Sequence, residues 1–270
     1  MAATPSNTFV APSHSVSVQG AYEPFELQVA RGQIMGHRIV TVSGYNSDVD
    51  QTWVDIWSGT GTITYPAAAL QMTVSSGSAS DTAAGIGART IRINGLDANY
   101  NEVSETVTLN GQTPVTTVNS YLRIQNALVT SAGSSNSAVG NIYIGSGTVT
   151  AGVPAVNYAD IIVDFNSSLS NAYTIPAGYT GYLTYARFTA GQASGTTGVT
   201  ARVRITGTNN IPLTIAVATL NNGVAELSIP YPTAIPEKTR ISGMAIGASN
   251  NNAVSGYYQI VLIKNDLQAA

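Results

Sequence analysis

A chain of 270 residues can bury one large core or two smaller ones, and only 9% of this one is Asp, Glu, Lys or Arg, with a net charge of −3. No cluster of Lys or Arg stands out along it, so the electrostatic footprint of a nucleic-acid or headgroup binder is missing, and neither nucleic acid nor membrane is expected as a partner. Cysteine is absent, which excludes disulfides, thiolate chemistry and Cys-ligated zinc together.

Residues 1–20 are rich in Ser, Pro, Thr and Asn, and carry neither a charged residue nor a continuous apolar core. They read as an extended arm rather than a Sec-type signal peptide, an arm that gains order by lying along a neighbour. From 22 to 57 the pattern tightens. Residues 26–29 and 38–42 read as short strands separated by Gly32 and Gly36, and 49–57 holds both tryptophans, Trp53 and Trp57. A strand period places Trp53, Asp55 and Trp57 on one face, whereas a helical period stacks the two rings one turn apart, and the sequence leaves both open. Residues 1–57 are taken together as arm and anchoring segment.

Strand signals then recur at 61–65, 69–74, 89–94, 103–109, 115–118, 121–130 and 141–144, punctuated by Gly, Ser and Asn, and define a first β domain over 58–150. Asn110-Gly111, following the alternating Thr106-Val107-Thr108-Leu109, predicts a tight hairpin there. Alternation lapses over 145–157, which is read as the join. A second block, 157–270, carries eight strand-like runs and reads as a jelly-roll-like sandwich. The longest apolar stretch, 211–220, is broken by Pro212 and Thr214 and is far short of the roughly twenty residues that span a bilayer. No helical face persists beyond about two turns, so the fold class is all-β: two β-sandwich or jelly-roll-like domains behind an N-terminal arm.

Signals for chemistry are weak. His14 and His37 stand apart from any nucleophile elbow, and Asp48, Asp50 and Asp55 lack the Gly and Glu positions of a calcium loop. Asp97, Glu102 and Glu105 could serve glycoside hydrolysis as paired carboxylates, against the plainer reading of solvated hairpin residues. Gly85-Ile86-Gly87 precedes a strand, not a helix, and reads as a turn. No catalytic residue, metal or cofactor is therefore assigned, and the protein is expected to be non-enzymatic. What the sequence offers instead is contact chemistry: tyrosines at 173, 179, 182, 185, 257 and 258, and basic residues that are almost all arginine, with Arg202 and Arg204 sharing a strand face. Trp53, Trp57, Arg31, Arg38, Tyr179, Tyr182, Tyr257 and Tyr258 are the candidate interface residues.

The stretches 81–90 (DTAAGIGART), 95–100 (GLDANY), 105–111 (ETVTLNG) and 131–133 (SAG), with 173–184 (YTIPAGYTGYLT) and 235–239 (IPEKT), resemble virion structural proteins of tailed phages, especially marine and cyanobacterial podovirus-like ones. That resemblance implies a virion component, assembled in the host cytoplasm. On it the chain is expected to be a capsid decoration or cement protein, a homo-trimer bound to the major capsid protein or other virion proteins. The alternative is a tail or head-fibre host-attachment module whose tyrosines contact surface glycan.

Overall fold

The computed structural model describes residues 23–191 and 198–267, so the 1–20 arm and His14 lie outside the described residues. Among the described residues a six-residue helix, α1 (Phe25–Ala30), precedes seventeen strands. The first two are β1 (His37–Val49) and β2 (Val54–Asp55); then come β3 (Leu70–Ser76), β4 (Ala88–Leu96), β5 (Glu102–Thr108), β6 (Val115–Tyr121), β7 (Arg123–Ala132), β8 (Ile142–Thr150) and β9 (Val153–Ile161). The last eight are β10 (Ala172–Thr174), β11 (Tyr179–Gly191), β12 (Gly198–Thr206), β13 (Pro212–Asn221), β14 (Gly223–Ser228), β15 (Ala234–Ile235), β16 (Arg240–Gly247) and β17 (Asn252–Lys264). The all-β expectation holds.

The strands form two two-sheet sandwiches, and one is inserted into the other. In the discontinuous sandwich, β1-β17-β11-β14 faces β10-β16-β12-β13, with β15 and β2 added at the sides. Its core joins Val42, Leu183, Phe188, Tyr258 and Ile260 of the first sheet to Tyr173, Val203, Ile241 and Ala245 of the second. The Phe188 and Tyr258 rings meet edge to face at 6.0 Å, an arrangement that adds about 0.5–1.5 kcal/mol beyond the area buried. In the inserted sandwich, β6-β3-β8-β9 faces β5-β4-β7 around Met72, Val74, Ile91, Ile93, Tyr121, Ile142 and Ile144.

This pairing corrects the expected boundaries. β1 runs antiparallel to β17 from His37↔Ile263 to Val49↔Asn252, so the second half of the supposed anchoring segment 1–57 belongs to the C-terminal sandwich. The supposed join at 145–157 is the hairpin between β8 and β9, and the first domain runs on to Ile161. Loss of alternation marked a bulged, Gly- and Pro-rich hairpin rather than a linker.

Three local expectations change as well. Residues 26–29 are helical, because the Leu27 and Gln28 amides turn back to the Pro24 carbonyl at 3.0 and 3.1 Å. In the Trp53–Trp57 segment Val54 and Asp55 are extended and paired to β16, after which the chain bends and the Trp57 amide donates to Asp55 O at 3.1 Å. Asn110-Gly111 turns the chain but makes no hairpin: Asn110 bridges Thr82, the Gly111 amide donates to the Asp81 carbonyl at 2.8 Å, and the chain passes from β5 in one sheet to β6 in the other. Turn residues specify a reversal and not the partner of the strand that follows.

Asp81 explains the 81–90 motif. Its buried carboxylate accepts hydrogen bonds from Ser76 Oγ at 2.6 Å and Ala88 N at 2.7 Å, and from Val139 N and Gly140 N, each at 2.9 Å. One side chain thus ties the end of β3, the start of β4 and the approach to β8. Gly87 is required because a Cβ there would lie 2.0 Å from Asp81 Oδ1.

The sandwiches are joined by more than their covalent links. Val129 N donates to Asn166 O and Ser168 N to Ala127 O, each at 2.8 Å, and Ala177 N donates to Tyr100 O at 2.9 Å. Thr174 N donates to Gln125 Oε1 at 3.0 Å. Arg38 of β1 grips Glu102 of β5 in a two-pronged pair at 2.8 and 3.0 Å.

Replacing Asp81 by Ala leaves four donors without their acceptor, and we expect it to cost about 3–5 kcal/mol of unfolding free energy in urea titration, with Asp81→Asn costing less.

Candidate functional site

On the outside of the β1-β17-β11 sheet, the strand period turns Ser43 and Tyr45, then Ser255, Tyr257 and Gln259, then Tyr185, Arg187 and Thr189 to one face. Register brings them together: Tyr257 lies opposite Ser43 on one side and Arg187 on the other, while Ser255 lies between Tyr45 and Thr189. Phe165, from the loop after β9, stacks on Tyr45 at 6.2 Å with an interplanar angle of 22°. The Tyr185 and Tyr257 rings meet edge to face at 6.1 Å. Between these rings runs a groove of about 590 Å³, with Gly44 and Gly256, which stand opposite each other, in its lining.

Polar groups edge the groove. Arg187 Nε lies 3.7 Å from Glu226 Oε1 on β14, both side chains half in water. Slight desolvation, and then the hydrogen bond and charge of Glu226, push the Tyr185 phenol above its ordinary value. Aromatic faces with a few hydrogen-bonding groups at their rim suit a sugar ring or a partner's apolar side chain.

The eight candidate interface residues do not assemble into one site. Tyr257 lies in this groove. Tyr258, its neighbour, points the other way into the core and is fully buried, and Trp57 is buried with Ile63 and Ala172 while its indole N–H donates to Gly61 O at 3.0 Å. Those two are corrected from interface to core: adjacent strand positions face opposite sides, which turns Tyr258 inward, and Trp57 is held in a small cluster of its own. Trp53 is half-buried beneath the Arg202 guanidinium, which lies 3.9 Å from its ring centroid. Arg38 is held by Glu102 with its guanidinium 5.2 Å from the Tyr179 ring, so both serve the contact between sandwiches. Arg31 is exposed and pairs with Glu23 beside α1, and Tyr182 is half-buried on β11 opposite Ala234 and Val261. Tyr45, Phe165 and Arg187 were not singled out from sequence. Tyr45 and Arg187 carried a usable signal, an aromatic or long cation on the polar side of an alternating strand.

The three carboxylates considered for hydrolysis are engaged elsewhere. Glu102 holds Arg38, and Glu105 accepts from Val118 N at 2.8 Å, Asn119 N at 3.1 Å and the Tyr121 hydroxyl at 2.9 Å. Asp97 braces its own turn: although desolvation opposes it, hydrogen bonds from Asn101 and Asn99 hold its carboxyl below the ordinary range.

No family model matches the chain, and no curated protein does. Among solved structures, infectious bursal disease virus Gx strain is similar over 86% of this chain and 73% of that one, at 10% identity and a TM-score of 0.25. The VP2 subviral particle of infectious bursal disease virus covers the same shares at 9% identity and a TM-score of 0.24. Scores this low establish neither a shared fold nor a shared function.

Tyr257 and Tyr258 separate surface from core. We expect Tyr258→Ala to lower stability by about 3–5 kcal/mol and Tyr257→Ala by about 1 kcal/mol or less, both read by denaturant unfolding.

Proposed function

We propose that the protein is a non-enzymatic structural component of a tailed-phage virion, most simply a capsid decoration or cement protein that binds the major capsid protein as a homo-trimer, assembled in the host cytoplasm. The observation that carries this reading is the open edge of the discontinuous sandwich. Among the described residues β13 ends its sheet, paired on one side only, with β12. Along and beside it Ile211, Leu213, Val217 and Val224 are exposed by 67%, 59%, 58% and 55%. Residues 208–225 contain no Asp, Glu, Lys or Arg. Soluble sheets ordinarily guard an edge with charge, proline or a bulge. Here Pro212 stands at the first position and a bulge interrupts the pairing opposite Val203 and Arg204, but the rest is left open. An apolar row beside unpaired backbone groups favours attachment by strand addition and apolar burial, with little role for charge.

The groove of Tyr45, Tyr185 and Tyr257 favours a second reading, a host-attachment module of tail or head fibre that stacks surface glycan on these rings.

Gel densitometry of purified particles separates the two. Copies on the scale of the whole capsid lattice support decoration, and copies on the scale of one tail support attachment. The double variant Leu213→Glu/Val217→Glu, folded by circular dichroism, is expected to reduce particle occupancy about tenfold or more, since each tenfold is about 1.4 kcal/mol of binding. Full occupancy by that variant removes β13 from the attachment surface.

A further inference from the structure

The chain has 11 basic residues scattered along it, yet the fold draws Arg123, Arg202, Arg204, Lys238 and Arg240 to one side of the discontinuous sandwich. Arg202, Arg204 and Arg240 project from the same face, because Arg204 pairs with Ser242 and Thr206 with Arg240 in neighbouring strands. Arg123 arrives from the inserted sandwich at the start of β7, and Lys238 from the loop before β16. Asp55 stands against this group, with Oδ2 engaged by the Ile63 amide at 2.8 Å. Among the described residues Lys238 alone of the five makes an ion pair, at 3.9 Å to Glu237.

At the junction of the two sandwiches lies a cavity of about 400 Å³ with Tyr65, Tyr100, Arg123, Thr206, Lys238 and Arg240 in its wall and no carboxylate. The guanidiniums of Arg123 and Arg240 lie 4.7 and 4.6 Å from the centroid of one ring, that of Tyr65. Two like charges are thereby held within about a Debye length of each other. Burial lowers the Arg123 guanidinium below its ordinary value, and the charge of Arg240 adds to that, against the opposing influence of Tyr100 and Tyr65. Arg123 Nε, Arg240 Nε and Thr206 Oγ1 are buried and have no hydrogen-bond partner among the described residues. Lys238 is held in the left-handed region at φ 62° by its amide, which donates to Ile175 O at 2.8 Å.

Stacking on Tyr65 accounts for the placement of the two arginines. It does not account for a wall that gathers three cations, Arg123, Lys238 and Arg240, while Asp55 and Glu237, the nearest carboxylates, stand outside it. We propose that this cavity binds an oxyanion, a phosphate, sulfate or carboxylate group, free or carried on a sugar. Guanidinium forks match such groups in geometry, and a negative charge here relieves the repulsion that the fold imposes. The volume falls within the range of about 300–1,000 Å³ usual for small-molecule sites, enough for a charged monosaccharide as well as a bare ion. The inference is independent of the attachment surfaces above.

The test is thermal unfolding of the full chain in inorganic phosphate, sodium glucuronate or glucose, with ionic strength matched by sodium chloride. A saturable rise of about 2–4 °C is expected at a phosphate concentration about fivefold above Kd. Phosphate and glucuronate acting alike support a general oxyanion site, and glucuronate acting at lower concentration supports a sugar-borne carboxylate. Arg123→Gln/Arg240→Gln should abolish the rise, whereas Arg92→Gln, on the inserted sandwich, should keep it. Should the double variant fail to fold, Lys238→Gln removes one charge from a part-exposed position and is expected to raise the phosphate midpoint several-fold. A wild-type protein that responds no more to phosphate and glucuronate than to chloride, or equally to glucose, overturns the proposal, as does an undiminished rise in Lys238→Gln and the double variant together.

Discussion

The antiparallel pairing of β1 with β17, which sets His37 against Ile263, is the contact on which the rest of the architecture depends. It closes one sandwich around the insertion of another, and the chain must bring its two ends together before that core can exclude water. Closing so long a loop costs entropy that only a continuous ladder and a buried face can offset. Val42, Tyr258 and Ile260 supply the apolar part of that face. Polar packing completes it. The Asn171 side chain fills space that Gly44, Gly243 and Gly256 leave between the sheets, where an added Cβ on Gly243 would lie 2.0 Å from Asn171 Oδ1.

Joining the sandwiches by backbone hydrogen bonds and by the Arg38–Glu102 pair has a chemical consequence. Residues of opposite halves of the sequence share walls. Arg123 reaches Tyr65 and Arg240, and Phe165 reaches Tyr45, only because the inserted sandwich is seated against the discontinuous one. A protein with few charges can in this way concentrate them, while its outward strands stay neutral and apolar along β13.

Charge is used sparingly and in specific roles. Asp81 and Asp97 brace turns, Glu105 braces the β6 backbone, and Glu102 holds the neighbouring sandwich. Each of these carboxylates is committed to holding a backbone turn or a neighbouring element in place.

Composition, alternation and turn residues determined the class of the fold and most strand positions, since whether a segment alternates with period two is a local property. They also pointed to contact chemistry and named Tyr257 and Tyr258 alike as interface candidates. Which strand meets which was decided only in three dimensions. Strands with similar alternation pair equally well in isolation, and register depends on burying one face against a distant partner. Hence the Asn110-Gly111 turn, the 145–157 hairpin and the fate of 37–57 were legible as local shapes but not as connections. For the same reason the sequence separated Tyr257 from Tyr258 by one position but did not say which would be buried. Nor did it show that arginines far apart in the chain meet at Tyr65, because charge spacing along a strand records neighbours on that strand and nothing of what the next sheet brings alongside.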